Sequence, residues 1–302
     1  MTMSPLHINT PVIYSQFLQN TIGKSVYFKL DALQPTASFK IRGIGRLCQH
    51  YASQGVKQFV ASSGGNAGIS VAYCGMILDI PTTVFIPSTS HQLFINEIKS
   101  YGADVVVAGD VWDEAHLAAL QFAEEHHAAY IPPFDHPIIW GGHATMIKEI
   151  ADTGLRPEAI VAAVGGGGLA CGLLEGMRQQ GWDDIPLIAV ETLGADCFYQ
   201  SIQANQLITL EKITSKATSL GAKHVTPRLM EWTRDHVVKP VVVTDAEAEA
   251  GARAFAKDKR ILVELSAGAA LSIAYSNHPI IQEFHSILMV VCGGINTSFF
   301  QL

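Results

Sequence analysis

The sequence predicts an α/β protein of two lobes, each a parallel sheet flanked by helices. Three observations predict it. Short apolar, β-branched stretches alternate along the chain with longer amphipathic ones, the signatures of buried strands and surface helices. Strictly alternating strands and helices need crossover connections, and these give parallel sheets covered on both faces. The length of 302 residues, 48% of them hydrophobic, suits roughly two domains with substantial cores and excludes a disordered chain.

In chain order, strands are expected at residues 26–29, 58–61, 83–86, 105–108, 160–164, 187–190, 241–243 and 287–292. Each is too short and too rich in Val and Ile to be a helix. Helices are expected at residues 39–54, 67–78, 91–101, 113–126, 143–152, 169–180 and 246–258. Pro81 and Pro87 bracket one strand, and Pro132, Pro133 and Pro137 interrupt the middle of the chain. The stretch 132–142 is therefore the expected crossing between lobes. It implies a small domain of residues 43–136 inserted into a larger one built from 1–42 and 137–302. There is no low-complexity linker and no repeat of 20–50 residues.

Composition excludes several functions. The formal charge is −7 and the isoelectric point about 5.9, so the basic face expected of a nucleic-acid-binding protein is missing. Cys48, Cys74, Cys171, Cys197 and Cys292 are scattered, with no Cys-x-x-Cys pair, which argues against a zinc ribbon or a dithiol redox site. An odd number of scattered cysteines fits reduced, buried thiols in a cytoplasmic protein. Residues 1–12 lack the pattern of a secretory signal, and no apolar run reaches the ~18 residues of a membrane span. The expectation is a soluble, cytoplasmic protein with no membrane partner.

Four motifs carry chemistry. Ser62-Ser63-Gly64-Gly65-Asn66-Ala67-Gly68 follows a strand and opens a helix. Free N–H groups and the positive dipole end there suit an anion such as a carboxylate, although an ordinary capped turn reads the same way. Val164 is followed by Gly165, Gly166, Gly167, Gly168 and Leu169. Four consecutive glycines cost backbone entropy that a plain turn does not require, and they make a cradle of N–H groups for a phosphate. The G-x-G-x-x-G spacing of a dinucleotide site is absent, so a single phosphate is the better ligand. Lys40, within Ser38-Phe39-Lys40-Ile41-Arg42-Gly43, stands near a helix start. There the dipole disfavours a cation, and with burial it lowers the amine's pKa and makes a nucleophile. A solvated surface lysine is the bland alternative. Finally, Val290-Val291-Cys292-Gly293-Gly294 ends an apolar strand in a thiol, at the carboxyl edge where α/β folds place ligands; the alternative is a core cysteine.

In this order the motifs resemble the fold-type-II pyridoxal-phosphate enzymes, the tryptophan synthase β family, and within it the serine dehydratase or serine/threonine deaminase branch. The match runs from Thr10-Pro11 to Gly294. It includes residues 34–43 (QPTASFKIRG), 130–135 (YIPPFD), 191–195 (ETLGA) and 261–264 (ILVE). The resemblance implies a two-domain fold, pyridoxal phosphate as cofactor and a role for each matching residue. Lys40 would carry the cofactor aldehyde as an imine and act as the base. Phe39 would lie against the pyridine ring, Asn66 would bond its phenolic oxygen and Cys292 would face its nitrogen. Gly165, Gly166, Gly167, Gly168 and Leu169 would hold the phosphate. Ser63, Gly64, Asn66 and Ala67 would form the substrate site, the first two and Ala67 taking the carboxylate. Glu191 and the carbonyls of Ala195, Leu220 and Ala222 would bind a monovalent cation, potassium; a plain salt bridge is the alternative for Glu191. The branch implies a homodimer.

The implied reaction is elimination of water from L-serine or L-threonine, giving pyruvate or 2-oxobutyrate and ammonia. Other fold-type-II enzymes are the nearest rivals: cysteine synthase, threonine synthase, threonine deaminase or a racemase. Cys292 favours the dehydratases, since cysteine synthases carry Ser there. No appended regulatory domain follows, against the large feedback-inhibited threonine deaminase. Gly64 stands where serine racemases carry a hydroxyl and the liver-type dehydratase carries Ala. The chain also stops at Leu302, where relatives run on as helix. A non-catalytic amino-acid-binding protein is the rival of a different class, and Lys40 argues against it because binding alone needs no imine.

Overall fold

The computed structural model describes residues 4–297. Its strands are β1 (Val12–Tyr14), β2 (Ser25–Lys29), β3 (Phe59–Ala61), β4 (Thr82–Ile86), β5 (Asp104–Val107), β6 (Ala129–Tyr130), β7 (Ala159–Ala163), β8 (Leu187–Thr192), β9 (Val238–Val243) and β10 (Ser286–Val290). Its helices are α1 (Gln16–Ile22), α2 (Lys40–Ser53), α3 (Asn66–Leu78), α4 (Gln92–Ser100), α5 (Trp112–Glu125), α6 (Pro137–His143), α7 (Thr145–Asp152), α8 (Gly168–Gln179), α9 (Cys197–Ala204), α10 (Pro227–Asp235), α11 (Asp245–Lys259) and α12 (Leu265–Tyr275). The chain divides into two compact units. One combines the N-terminal residues up to Ile8 with Phe39–Gly142, and the other Asn9–Ser38 with residues from His143 onward.

The first unit is built on a four-stranded sheet in the order β5-β4-β3-β6, parallel throughout. Val60 and Phe85 on its strands pack against Ala115, Ala119 and Ala123 of α5. These small residues recur every fourth position, so α5 lies close on the sheet. On α3, Gly75 lets the helix approach the start of β4, since a Cβ there would lie 2.0 Å from Thr82 Oγ1.

The second unit holds a six-stranded sheet in the order β1-β2-β10-β7-β8-β9. Its strands are parallel apart from β1, which pairs antiparallel with β2 at one edge. The central strands β7, β8 and β10 are almost wholly buried, as continuous apolar runs between two helical layers should be. At the other edge β9 starts at Val238 and runs through Pro240, three residues before the expected start. A proline is tolerated there because an edge strand leaves one side of its backbone without ladder partners. Helices α11 and α12 pack closely side by side: a Cβ on Gly251 would lie 2.4 Å from the Gly268 carbonyl, and one on Gly268 would lie 2.2 Å from that of Ala248. Thr244 and Glu247 form a capping box at the start of α11. The buried Lys29 of β2 is held by Glu149 of α7 at 2.5 Å and by the Thr10 carbonyl at 2.6 Å. The five cysteines are free and buried, and no helix of the described residues is long and apolar enough to cross a membrane.

Candidate active site

In the first unit the candidate residues gather at the carboxyl edge of the sheet. Helix α2 leads into β3 through the short connection 54–58, and α3 leads out of it. Both helices run against the strand and pack on each other, so Lys40 and Asn66, their first residues, lie at the same end. Lys40 Nζ confirms this placement by donating to the Pro133 carbonyl, just past β6, at 2.5 Å. The rings of Phe39 and Phe134 lie 5.3 and 5.9 Å from Nζ. The amine thus meets the Pro133 carbonyl beside two aromatic rings, in a half-buried setting.

Ser63 and Gly64 lie in the turn between β3 and α3, and Asn66 and Ala67 are the first residues of α3. The helix has Gly65 as N-cap, with no side chain capping it and no acidic residue in its first turn. The positive end of its dipole, with no acidic side chain in the first turn, suits an anion. The turn folds tightly over the helix: a Cβ on Gly68 would lie 1.8 Å from the Ser63 carbonyl oxygen. A residue the sequence did not single out, Ser90, fills the space beside Gly64, its Oγ 2.7 Å from where a Cβ would stand.

In the second unit, adjacent parallel strands β10, β7 and β8 end in the other candidates. The turn after β7 carries Gly165 to Gly168, with Leu169 in the first turn of α8. Gly167 has φ +87°, the left-handed region that a side chain rarely adopts, and it caps α8 without a side-chain bond. A Cβ on Gly165 would lie 3.1 Å from Leu220 Cα. Among the described residues, the N–H groups of Gly165, Gly166, Gly167 and Gly168 donate to no backbone carbonyl. A cradle of uncommitted N–H groups at a helix N-terminus, without carboxylates, fits a phosphate.

Cys292 follows β10 and is 3% exposed. Burial, followed by the nearby Glu264 carboxylate, pushes its thiol far above the ordinary range, while a hydrogen bond with Ser266 works the other way. Held above its ordinary range, the thiol favours its protonated, uncharged form. Ser266 Oγ in turn donates to Glu264 Oε1 at 2.5 Å. Ser266 went unnoticed in the sequence because its helix, α12, carries no polar face to mark it.

Glu191, at the end of β8, is fully buried. Its Oε1 accepts from Phe198 N at 2.9 Å and its Oε2 from Tyr199 N at 2.7 Å, so it caps α9. Desolvation raises its pKa to about 8 despite these bonds. No basic side chain pairs with it among the described residues, which sets the salt-bridge alternative aside. Ala195 lies in the turn after β8, its N–H donating to Thr192 O at 2.8 Å, and Leu220 O accepts from Ala222 N at 2.7 Å. The structure sets Leu220 against the glycine turn. No three His, Cys, Asp or Glu side chains converge as a metal site among the described residues.

The first unit therefore supplies an amine and the second a phosphate cradle and a neutral thiol, each at the carboxyl edge of its own unit's parallel strands. The residues fit pyridoxal phosphate: an amine for its aldehyde, free N–H groups for its phosphate and a neutral partner for its nitrogen. Comparison with known proteins agrees. The family model for pyridoxal-phosphate dependent enzymes matches residues 3–293. The L-serine dehydratase/L-threonine deaminase of Bos taurus is 44% identical, with 100% of this chain and 95% of the relative aligned; its Homo sapiens counterpart is 43% identical over 100% and 95%. The crystal structure of a fungal L-serine ammonia-lyase from Rhizomucor miehei superposes with a TM-score of 0.91 at 35% identity, covering 96% of this chain and 95% of that one. The chain belongs to the family of pyridoxal-phosphate dependent enzymes.

Proposed function

We propose that this chain is a pyridoxal-phosphate-dependent L-serine and L-threonine dehydratase, an ammonia-lyase that releases pyruvate or 2-oxobutyrate. The observation that carries this reading within the family is the neutral thiol of Cys292 at the end of β10. Full-length similarity to proteins named L-serine dehydratase/L-threonine deaminase supports it.

Pyridoxal phosphate, when bound, supplies an electron-accepting ring that takes up the charge left when Cα loses its proton. Lys40 Nζ would hold the cofactor aldehyde and is placed to serve as the base that takes the Cα proton. The N–H groups of Gly165 to Leu169 would hold the phosphate, Asn66 would bond the phenolic oxygen and Phe39 would lie against the ring. The carboxylate of the substrate sits on Ser63, Gly64 and Ala67 at the N-terminus of α3. Cys292, as a neutral partner, withholds the full charge stabilisation that a carboxylate would give, which suffices for elimination and discourages transamination. A cytoplasmic location and a homodimer go with the same proposal.

The test is incubation of the cofactor-loaded protein with L-serine in deuterated water. Pyruvate is expected without D-serine, because Gly64 has no hydroxyl to protonate the opposite face of Cα. Absence of pyruvate contradicts the dehydratase reading. D-serine forming at a rate near that of pyruvate would hand the second proton to another group, and Ser90, whose Oγ stands beside Gly64, is one candidate. For the converse variant, Gly64→Ser alone collides with Ser90; pairing it with Ser90→Gly opens the space and should introduce measurable racemisation.

Potassium is proposed as a ligand of Glu191 and the carbonyls of Ala195, Leu220 and Ala222. A buried carboxylate without a basic partner is costly, and a hard cation with oxygen ligands relieves it. Activity is expected to be higher in potassium than in tetraalkylammonium buffer, with the melting temperature rising in parallel. Equal rates in potassium, sodium and tetraalkylammonium refute the cation site.

A further inference from the structure

A hydrogen-bonded cluster lies directly behind the substrate turn of the first unit. Ser62, the first residue of that turn, is 1% exposed. Its Oγ lies 2.7 Å from Tyr130 Oη of β6 and 3.3 Å from His116 Nδ1 of α5. Tyr130 Oη is 2.9 Å from the same imidazole nitrogen. The His116 ring is stacked on Trp112, with centroids 4.7 Å apart and planes 9° from parallel, so it cannot turn freely. Three elements, β3, β6 and α5, thus meet in one polar cluster beside an otherwise apolar layer of Val60, Phe85 and alanines. A polar network inside apolar packing specifies one geometry when every member is satisfied.

The direction of this chain depends on the imidazole. When His116 is neutral at Nδ1, Tyr130 donates to it and Ser62 donates to Tyr130. When Nδ1 is protonated it donates to Tyr130, Tyr130 donates to Ser62, and the Ser62 hydrogen loses its acceptor. We propose that His116 is a positioning residue for substrate binding: acting through Tyr130, it fixes Ser62 and with it the turn that takes the substrate carboxylate, and it releases that turn on protonation. This inference rests on the function proposed above.

Burial lowers the His116 pKa, and Asp113 on the same helix is the charged group that raises it. From β6 it faces Tyr130, whose hydroxyl burial holds above its ordinary value, and from β3 it faces Ser62; β4 offers α5 the ring of Phe85. The imidazole is therefore mainly neutral at neutral pH, and in the tautomer with its hydrogen on Nε2 its Nδ1 accepts from Tyr130.

The test compares the cofactor-loaded wild type with His116→Phe, Tyr130→Phe and His116→Gln, following 2-oxo acid formation from L-serine across the range in which an imidazole titrates. Wild-type KM should rise as pH falls through the His116 pKa. Loss of one hydrogen bond of ordinary net strength should raise KM roughly fivefold in His116→Phe and Tyr130→Phe at every pH. In these two variants KM should be flat with pH and kcat within about twofold of wild type. His116→Gln keeps an acceptor that cannot ionise, so it should recover most of the lost KM and stay flat. His116 is half-exposed, so its variants test the inference even if Tyr130→Phe does not fold. Wild-type KM values with unchanged pH dependence, or losses confined to kcat, overturn the inference. A wild type that makes no 2-oxo acid from L-serine or L-threonine overturns the proposed function instead.

Discussion

Lys40→Ala is expected to abolish elimination while leaving the fold intact. The substitution removes the amine for the cofactor aldehyde and the base for Cα together. These act as a unit, so the loss should exceed the ~10²–10⁴-fold typical of a general base alone. The structure gives little reason for collapse. Lys40 is the first residue of α2 and only half-buried, with its Nζ on the Pro133 carbonyl. Alanine is the best helix former, and no buried apolar volume is lost. The visible absorption of the cofactor-loaded protein should change with the variant, while the melting temperature stays within about 2 °C, roughly the shift that a 1 kcal/mol loss causes in a chain of this length. Activity within tenfold of wild type contradicts the assignment, and an unchanged absorption band would favour a binding protein over an enzyme.

Gly68→Ala is expected to be the most damaging single methyl group in the first unit. Its Cβ would lie 1.8 Å from the Ser63 carbonyl oxygen and 3.0 Å from Val84 Cγ1. Neither is the end of a flexible side chain, since the first is backbone and the second is buried in β4. The turn carrying Ser63 and Gly64 must therefore move off the N-terminus of α3. Overpacking of this kind costs about 3 kcal/mol, a fall in melting temperature of roughly 5–10 °C. The catalytic cost should be larger, because an ångström of misplacement in a positioning element is worth about 10² in rate. Calorimetry and kcat/KM for L-serine check the two effects separately. A variant with wild-type kcat/KM would show that the turn does not hold the substrate.

Much of the fold is legible in the sequence because local pattern and burial agree there. Strands β4, β7 and β10 are short β-branched runs in the centre of sheets. Helices α2, α5 and α11 alternate apolar and charged faces. The elements that escape are those with no such contrast. Helix α12 is Ala- and Gly-rich and buried on almost every side, so it shows no helical stripe. Strand β6 has two residues and is defined by its pairing with β3, which no local pattern announces. The helix expected over residues 143–152 is divided at Ala144 between α6 and α7.

The site divides in the same way. Glycine turns and a lysine at a helix start are local signals, so Gly165 to Gly168 and Lys40 stand out in the sequence. The partners of these groups come from distant chain segments. Pro133 reaches Lys40 across 93 residues, and Ser90 meets Gly64 only because β3 and β4 are neighbours. The cluster of Ser62, His116 and Tyr130 likewise needs α5 to lie across β3 and β6. Glu191 stands out in the sequence only through the family resemblance, and its duty as the cap of α9 appears only once the chain turns back through Ala195.

The most direct measurement is the stoichiometry of the reaction of L-serine with the purified, pyridoxal-phosphate-loaded chain. Pyruvate and ammonium released one for one with serine consumed, in a reaction lost in Lys40→Ala, is the result predicted. Serine that is bound but recovered unchanged, or consumed without pyruvate, would contradict the account.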